Sequence, residues 1–332
     1  MPENDWRATA SPTALERRGE IVWNIRQFFH RHGYSEVHTP TISRDTVIDP
    51  FIDPILIRGD AIACAEATDK HYFLQTSPEY CMKRLLASGM KSIYQLGPAY
   101  RASERGQFHN PEFTMLEWYR AGETFLEAVN FLAQLTDMLF GQQGTPVGPT
   151  QVISYQDVFQ SQLGLDPLAC EDDVLPKIAA REQLTLGSSW DDQTRDDWLN
   201  LLFSHCVQPC LGMTQPIIVT HYPASQAALA QLSTDDPRTS ERYELFVDGI
   251  ELANGYHELL DASELAVRSQ TALNRRRSEG KVDLSMESRL LEAMRAGFPD
   301  ACGCALGIDR LVMVLLGVTS IAEVLAFPIE LA

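Results

Sequence analysis

The sequence lacks any uninterrupted apolar run of about 18 residues, the length that a membrane-spanning helix needs, so no membrane association is expected. Its first residues, MPENDWRATASP, are polar and carry no apolar centre of the kind a secretory signal requires. Seven cysteines are scattered along the chain. Cys206 with Cys210 and Cys302 with Cys304 are the close pairs, neither forms a CxxC, and no histidine stands at zinc-finger spacing. That usage reads as free thiols in a reducing, cytoplasmic setting. Internal repeats and low-complexity tracts are absent. Positive charge is scarce, with 27 Lys+Arg against 45 Asp+Glu and a net charge of −18. Nucleic-acid binders usually carry a basic footprint, because counterion release from phosphates drives their affinity. The acidic balance therefore weighs against a long polyanionic partner, though a local basic strip remains open.

What is present suits a soluble globular chain: 332 residues, 45% apolar and 22% charged, enough for one large domain with an insertion. Residues 1–12 read as a mobile tail and 13–332 as the domain. Apolar positions Leu15, Ile21, Val22, Ile25, Phe28 and Phe29 recur at helical spacing over 12–32. Short strands are expected at 34–40 and 72–76, with a helix opened by Pro78 between 78 and 86. Two antiparallel strands, 92–101 and 113–119, flank a polar loop, and a helix follows over 124–140. The Gly/Pro-rich stretch 141–149 reads as a linker. Residues 150–215 form a mostly helical, acidic insertion holding ten Asp/Glu against three Lys/Arg. Beyond it lie a strand at 216–221, a hairpin at 242–253, helices at 262–278 and 285–296, and a strand running into a helix at 303–316. Strands joined mainly by hairpins, with helices gathered between them, predict an α+β fold on an antiparallel sheet.

The chemistry concentrates in YRASERGQFHNPEFTMLEWYRAG, residues 100–122. Arg101 offers a planar fork suited to phosphate or carboxylate, and Phe113 offers a face on which a base can stack. On residue types alone, a solvated hairpin with surface charges is an equal alternative. A second hairpin, ERYELFVDGIELANG, turns on Asp248-Gly249. That turn sets Phe246 opposite Glu251, with Glu244 two residues away on the same face, roughly 7–8 Å off on the diagonal. Two carboxylates so placed suit a magnesium ion shared with nucleotide phosphates, or are merely charges on a solvated face.

The 100–122 segment resembles motif 2 of the class II aminoacyl-tRNA synthetases, most closely the lysyl form. CGCALGIDRLVMVLLG resembles motif 3 with Arg310 as its arginine, and the helix leading to EVHTP resembles motif 1, a dimer-forming element. With TSPEY and GIELANGYHEL, the resemblance spans about 13–330. It implies an antiparallel sheet flanked by helices, ATP and Mg2+ as cofactors, and a homodimer. ATP contacts would come from Arg101, Ser103, Glu104, His109, Asn110, Phe113, Glu251, Leu252, Gly307 and Arg310, with Arg101 and Arg310 catalytic, and Phe113 and Arg310 sandwiching adenine. Glu244 and Glu251 would hold the metal. The amino acid, lysine or (R)-β-lysine, would meet Ser77, Glu79, Glu117, Tyr119, Asn254, Glu258 and Ala305, with Glu79, Glu258 and Tyr119 caging its ammonium. Because Glu258 does not follow the face parity of Glu251, a bulge or break is expected at Asn254-Gly255.

Departures from the lysyl-tRNA synthetase pattern point to a branch of the family that transfers a lysyl-type adenylate to a lysine of elongation factor P. Motif 1 begins near residue 13, which leaves no room ahead for an anticodon-binding domain. Alanine stands at Ala305 where the synthetase has glycine, and its methyl is expected to crowd the pocket and shift preference among related amino acids. YPASQAALAQ replaces an SPLAK-like tract. Ser103 stands where the family often has glutamate, and Glu104 would supply the carboxylate one residue later. The expected acceptor is thus elongation factor P and not tRNA. The alternatives are a stand-alone enzyme charging tRNA and a non-catalytic synthetase-like subunit.

Overall fold

The first helix forms over Pro12–Arg31 in a computed structural model that describes residues 6–62, 71–142, 148–184 and 193–332. Ser11 caps it by accepting from Ala14 N, and Pro12 takes the first position, where its missing N–H costs nothing. Its buried side, Ile21, Ile25, Phe28 and Phe29, lies on the hairpin made by Ser92–Tyr100 and Glu112–Ala121. There Phe29 stacks on Tyr94 at 4.7 Å and meets Trp118 edge-on at 5.4 Å. The described part of the expected tail is fastened from Thr9 onward, since Thr9 N and Ala10 N donate to Ala326 O and Leu325 O. Residues 1–5 lie outside the described residues.

The chain divides into two units, Met1–Thr124 with Glu258–Ala332, and Phe125–His257. In the first, strands run in the order Ser35–Glu36, Ser92–Tyr100, Glu112–Ala121, Ala301–Gly307, antiparallel except for the first pair. The strand expected at 34–40 shrinks to two residues, because past the Val37 N bond to Tyr94 O the next donor, Thr39 N, turns to the Gln95 side chain and Pro40 has no N–H. A small sheet of Ile42–Ser43, His71–Leu74 and Ile55–Arg58 adds two strands that the pattern did not announce. The helix expected at 285–296 begins four residues later, at Arg289, because Ser288 and not Ser285 caps it.

One buried carboxylate ties this unit together. Asp309, on helix Ile308–Leu316, accepts from Arg18 Nη1 at 2.5 Å and from Thr114 N at 2.7 Å, while Arg18 Nη2 donates to Thr114 Oγ1 at 2.8 Å.

In the second unit, strands Gln151–Ser154, Ile217–Thr220, Arg242–Val247 and Ile250–His257 lie side by side, the first pair parallel. Short helices Tyr155–Leu163, Val174–Arg181 and Arg195–Leu202 bury Tyr155, Phe159, Leu199 and Leu202 in one cluster with Phe203 and Phe246. Part of the expected linker, 143–147, lies outside the described residues. Among the described residues no helix is long and apolar enough to cross a membrane.

The second hairpin turns on Asp248 and Gly249, both at positive φ, and sets Glu251 opposite Phe246 as expected. The expected break at Asn254-Gly255 is corrected. The register shifts between Glu251 and Ala253, so Leu252 is the extra residue and the strand runs unbroken to His257. Gly255 instead makes room for a neighbour, since a Cβ there would collide with the ring of Tyr243 directly opposite.

Candidate active site

Strand alternation places Glu117 and Tyr119 on one face of Glu112–Ala121. The helix Glu79–Ala87 brings Glu79 and Lys83 to that face, one turn apart. Ser77, just ahead of the helix, accepts from Glu79 N at 3.0 Å and donates to Glu117 Oε2 at 2.6 Å. Tyr119 OH donates to Glu117 Oε1 at 2.6 Å. Glu258 is set by its backbone N–H bonding to Ala301 O, and its carboxylate lies 2.6 Å from Lys83 Nζ. Lys83 Nζ is also 2.5 Å from Glu79 and stands 5.8 Å over the Tyr119 ring. Glu79, Glu117, Glu258, Tyr119 and Lys83 thus form one largely buried polar cluster.

Burial dominates its electrostatics. It pushes the Glu117 carboxyl up to about 8, with repulsion from Glu79 adding to the effect, against the Ser77 and Tyr119 hydrogen bonds and the Lys83 charge. For Lys83, burial pulls downward, but Glu258 and Glu79 outweigh it and hold the ammonium well above the ordinary lysine range.

The arginines of the neighbouring segments sit in distinct settings. Arg101 lies over the Phe113 ring at 5.0 Å, with Nη1 3.4 Å from Glu104. Ser103, between them in sequence, takes φ +64, a conformation uncommon outside glycine. Arg310 Nε donates to Phe108 O at 3.2 Å, and its Nη2 lies 2.6 Å from His109 Nε2. Burial, then the Arg310 charge, hold His109 below the usual imidazole range, so near neutral pH its Nε2 accepts. Gly307 pairs with Met115 and caps the helix that carries Arg310, and Ala305 pairs with Glu117.

On the ribbon of the second unit, Glu244 accepts from Tyr222 OH at 2.5 Å and is ion-paired with Arg242. The Leu252 bulge brings Asn254 opposite Glu244, and Asn254 Nδ2 donates to Tyr256 OH at 2.9 Å. No group of three or more metal-binding side chains occurs among the described residues. Magnesium, however, usually takes only one or two protein carboxylates and completes its shell with phosphate and water. Tyr222 and Arg242 leave lone-pair sites on Glu244. The hard-oxygen donors Glu244 and Glu251 therefore fit such an ion.

The model of the class II tRNA synthetases (D, K and N) matches residues 4–331. The chain belongs to this family. Relatives from Enterobacter sp. (strain 638) and Salmonella arizonae are each 42% identical, over 327 and 328 residues, covering 98% of this chain and 98% of theirs. Both relatives are named elongation factor P–(R)-β-lysine ligase.

Glu79, Glu258 and Tyr119 do come together, as the cage reading required, but the cation among them is the chain's own Lys83. Lys83 escaped sequence reasoning, although an acid and a base four apart on a helix was a readable signal. Phe113, expected with Arg310 on either side of adenine, lies against Arg101, and Arg310 lies against His109. Asn110, expected at the nucleotide, is buried, with Nδ2 donating to Glu112 O at 2.5 Å and Oδ1 accepting from Ile329 N at 3.0 Å.

Gly303, on the strand that opens motif 3, has no room for a side chain. A Cβ would overlap the Tyr119 ring and stand 2.5 Å from Glu258 Oε1. Gly303→Ala is expected to cost about 1–3 kcal/mol of stability through overpacking. Urea unfolding measures it, and an unchanged midpoint contradicts the packing described.

Proposed function

We propose that this class II synthetase uses ATP to activate (R)-β-lysine or lysine as its adenylate and transfers the acyl group to a lysine side chain of elongation factor P. The observation that carries the reading is the cluster of three largely buried carboxylates, Glu79, Glu117 and Glu258, gathered around Lys83, with Glu117 held by the neutral donors Ser77 and Tyr119. Burial and the neighbouring Glu79 disfavour a charged Glu117, and a ligand bearing amines would favour it. The relatives' name agrees with that chemistry.

In this reading the ligand's amines enter the cluster and its carboxylate faces Arg101. The carboxylate attacks the α-phosphorus, pyrophosphate leaves, and the Arg101 guanidinium offsets the charge on the crowded phosphorus. Phe113 and Arg310 serve the nucleotide, with neutral His109 and the Phe108 carbonyl orienting Arg310. Glu104 holds Arg101 in the role that Ser103 cannot fill. Leu252 and Gly307 contribute backbone to the nucleotide site, and Asn254 and Ala305 border the amino acid. Magnesium, held by Glu244 and Glu251, would neutralise phosphate charge, and Arg242 and Tyr222 keep Glu244 oriented for it. In the second half-reaction an acceptor amine attacks the acyl carbonyl, AMP leaves, and the amine gives up a proton to form the amide.

Lysine-type amino acids are expected to support ATP–pyrophosphate exchange with no RNA present. Arg310→Ala and Glu251→Gln should each lower the rate about 10²–10³-fold. Full exchange activity in both variants rules out these assignments.

A protein acceptor suits the net charge of −18 and the acidic 150–215 segment. Acidic surface attracts a basic loop and repels a polyanion. Incubation with ATP, magnesium and (R)-β-lysine, offering elongation factor P and bulk tRNA in parallel, should add a lysyl-sized mass to the protein alone. Mass gained by tRNA and not by the protein favours the tRNA-charging reading instead.

A cytoplasmic homodimer through the motif 1 helix completes the proposal. Trp23, 61% exposed on that helix, is an unusual surface residue for a chain acting alone. Sedimentation at micromolar concentration should show a dimer that Trp23→Glu converts to monomer. A monomeric parent protein sinks this part.

A further inference from the structure

We propose that Arg276, buried on the helix Ala262–Ser278 and outside the class II motifs, is a positioning residue that holds the backbone beside Arg101 by fastening the segment 49–53. The inference rests on the reading that Arg101 grips the α-phosphate, and it names what keeps that arginine in place.

Among the described residues, 44–54 form neither helix nor strand, so no ladder fixes their course. The Asp49 carboxylate turns the segment, accepting from Phe51 N at 2.7 Å and Ile52 N at 3.1 Å. Arg276 then clamps the turn. Its Nη1 donates to Asp49 O and Ile52 O, each at 2.9 Å, and its Nη2 donates to Asp53 Oδ1 at 2.8 Å and Val282 O at 3.3 Å. Arg276 is 1% exposed, whereas its one carboxylate partner, Asp53, is 32% exposed. Three of these four acceptors are neutral carbonyls, so the contact is shaped more by the planar fork of donors than by an ion pair. What it specifies is the path of the backbone.

That path leads to Arg101. Asp53, held by its side chain to Arg276, accepts from Ala102 N at 2.7 Å through its main-chain oxygen. The bond fixes the peptide that joins Arg101 to Ala102. Ser103 follows at φ +64, and Glu104 returns to within 3.4 Å of Arg101 Nη1. The turn that pairs Glu104 with Arg101 therefore starts from a peptide that Asp53 holds. Two further bonds in this stretch, Tyr100 N to Gln75 O and Arg101 N to Pro111 O, each 2.9 Å, do not pass through Arg276. They keep the strand end formed when Arg276 is altered, and the orientation of the 101–102 peptide is what is lost. A misplacement of about 1 Å at a reacting group, caused from a distance, can lower a rate roughly 10²-fold.

ATP–pyrophosphate exchange by the full chain, with (R)-β-lysine and L-lysine in parallel, reads this out, with rates expressed per folded molecule from urea unfolding curves. Arg276→Lys should lower kcat about ten- to hundredfold. The KM for the amino acid should stay within about threefold, because the path runs to Arg101 and not to the cluster of Glu79, Glu117 and Glu258. In an Arg101→Lys background the same change should cost less than about twofold more, since the residue it acts through is already altered. A purely structural role lowers the urea midpoint and leaves kcat per folded molecule alone. Unchanged kcat in Arg276→Lys overturns the inference, and so does an equal loss in both backgrounds. If Arg276→Lys does not fold, Asp53→Ala takes its place, with an expected loss of about three- to tenfold that again shrinks beside Arg101→Lys; full activity of Asp53→Ala overturns the inference. A wild-type protein that exchanges with neither amino acid, or an Arg101→Lys protein as active as the wild type, removes the reading of the site and this inference together. Wild-type exchange that Arg101→Lys lowers and Arg276→Lys does not removes the inference alone.

Discussion

The carboxylate of Asp309 is the point on which the first unit hangs. It is buried, and it is satisfied by a guanidinium from the motif 1 helix and a backbone N–H from the motif 2 strand, while its own helix carries the motif 3 arginine. A buried charge left without its partner costs several kcal/mol, so the three segments hold their positions jointly or not at all. Arg18 bonds Thr114 as well as Asp309, which fixes the rotation of the motif 1 helix against the strand as well as its distance. Further along the strand that carries Thr114, Glu117 and Tyr119 begin the buried polar cluster, and the residue after Asp309 is Arg310. The placement of the cluster and of Arg310 is inherited from one ion pair.

The same cost of burying charge governs the pocket with the opposite outcome. Around Asp309, charge and hydrogen bonds are complete. Around Glu117 they are incomplete, and the deficit appears as a raised carboxyl pKa. A carboxylate satisfied from within the chain keeps a fixed charge, whereas one left short is free to respond to its surroundings. Gly303 keeps the space this arrangement needs, since any larger residue would press on Tyr119 and Glu258 together.

Much of this was legible in the sequence, and the exceptions have physical causes. Helices with strong periodicity and clear caps, such as Pro12–Arg31 and Ala262–Ser278, stand within a residue of expectation. So does the Asp248-Gly249 turn with its register of Glu251 against Phe246. The bulge was anticipated from parity, but an extra residue can sit anywhere along a ladder without a local mark, and glycine at 255 drew attention from Leu252. Two strands of the three-stranded sheet, Ile42–Ser43 and Ile55–Arg58, were missed because strands of two to four residues carry too little pattern, while the third, His71–Leu74, was expected. Among site residues, motifs assigned chemical types well and partners poorly. Nothing local says that Asn110 bonds Ile329, 219 positions away, or that Lys83 will sit between two acids from different segments. Such pairings belong to the tertiary fold.

Residues 319–330 hold the motif 2 loop from outside. Gln107 Nε2 donates to Thr319 O and Gln107 O accepts from Ile321 N, Asn110 meets Ile329, and Arg105 is paired with Glu330. During synthesis the loop leaves the ribosome some two hundred residues before its anchors do. A nascent chain can therefore close the hairpin of Ser92–Tyr100 and Glu112–Ala121 early, but the loop between those strands stays unmoored until the last segment emerges. Translation that stalls short of that segment would yield a protein with Glu79, Glu117 and Glu258 already in the chain and the loop between the two strands still adrift.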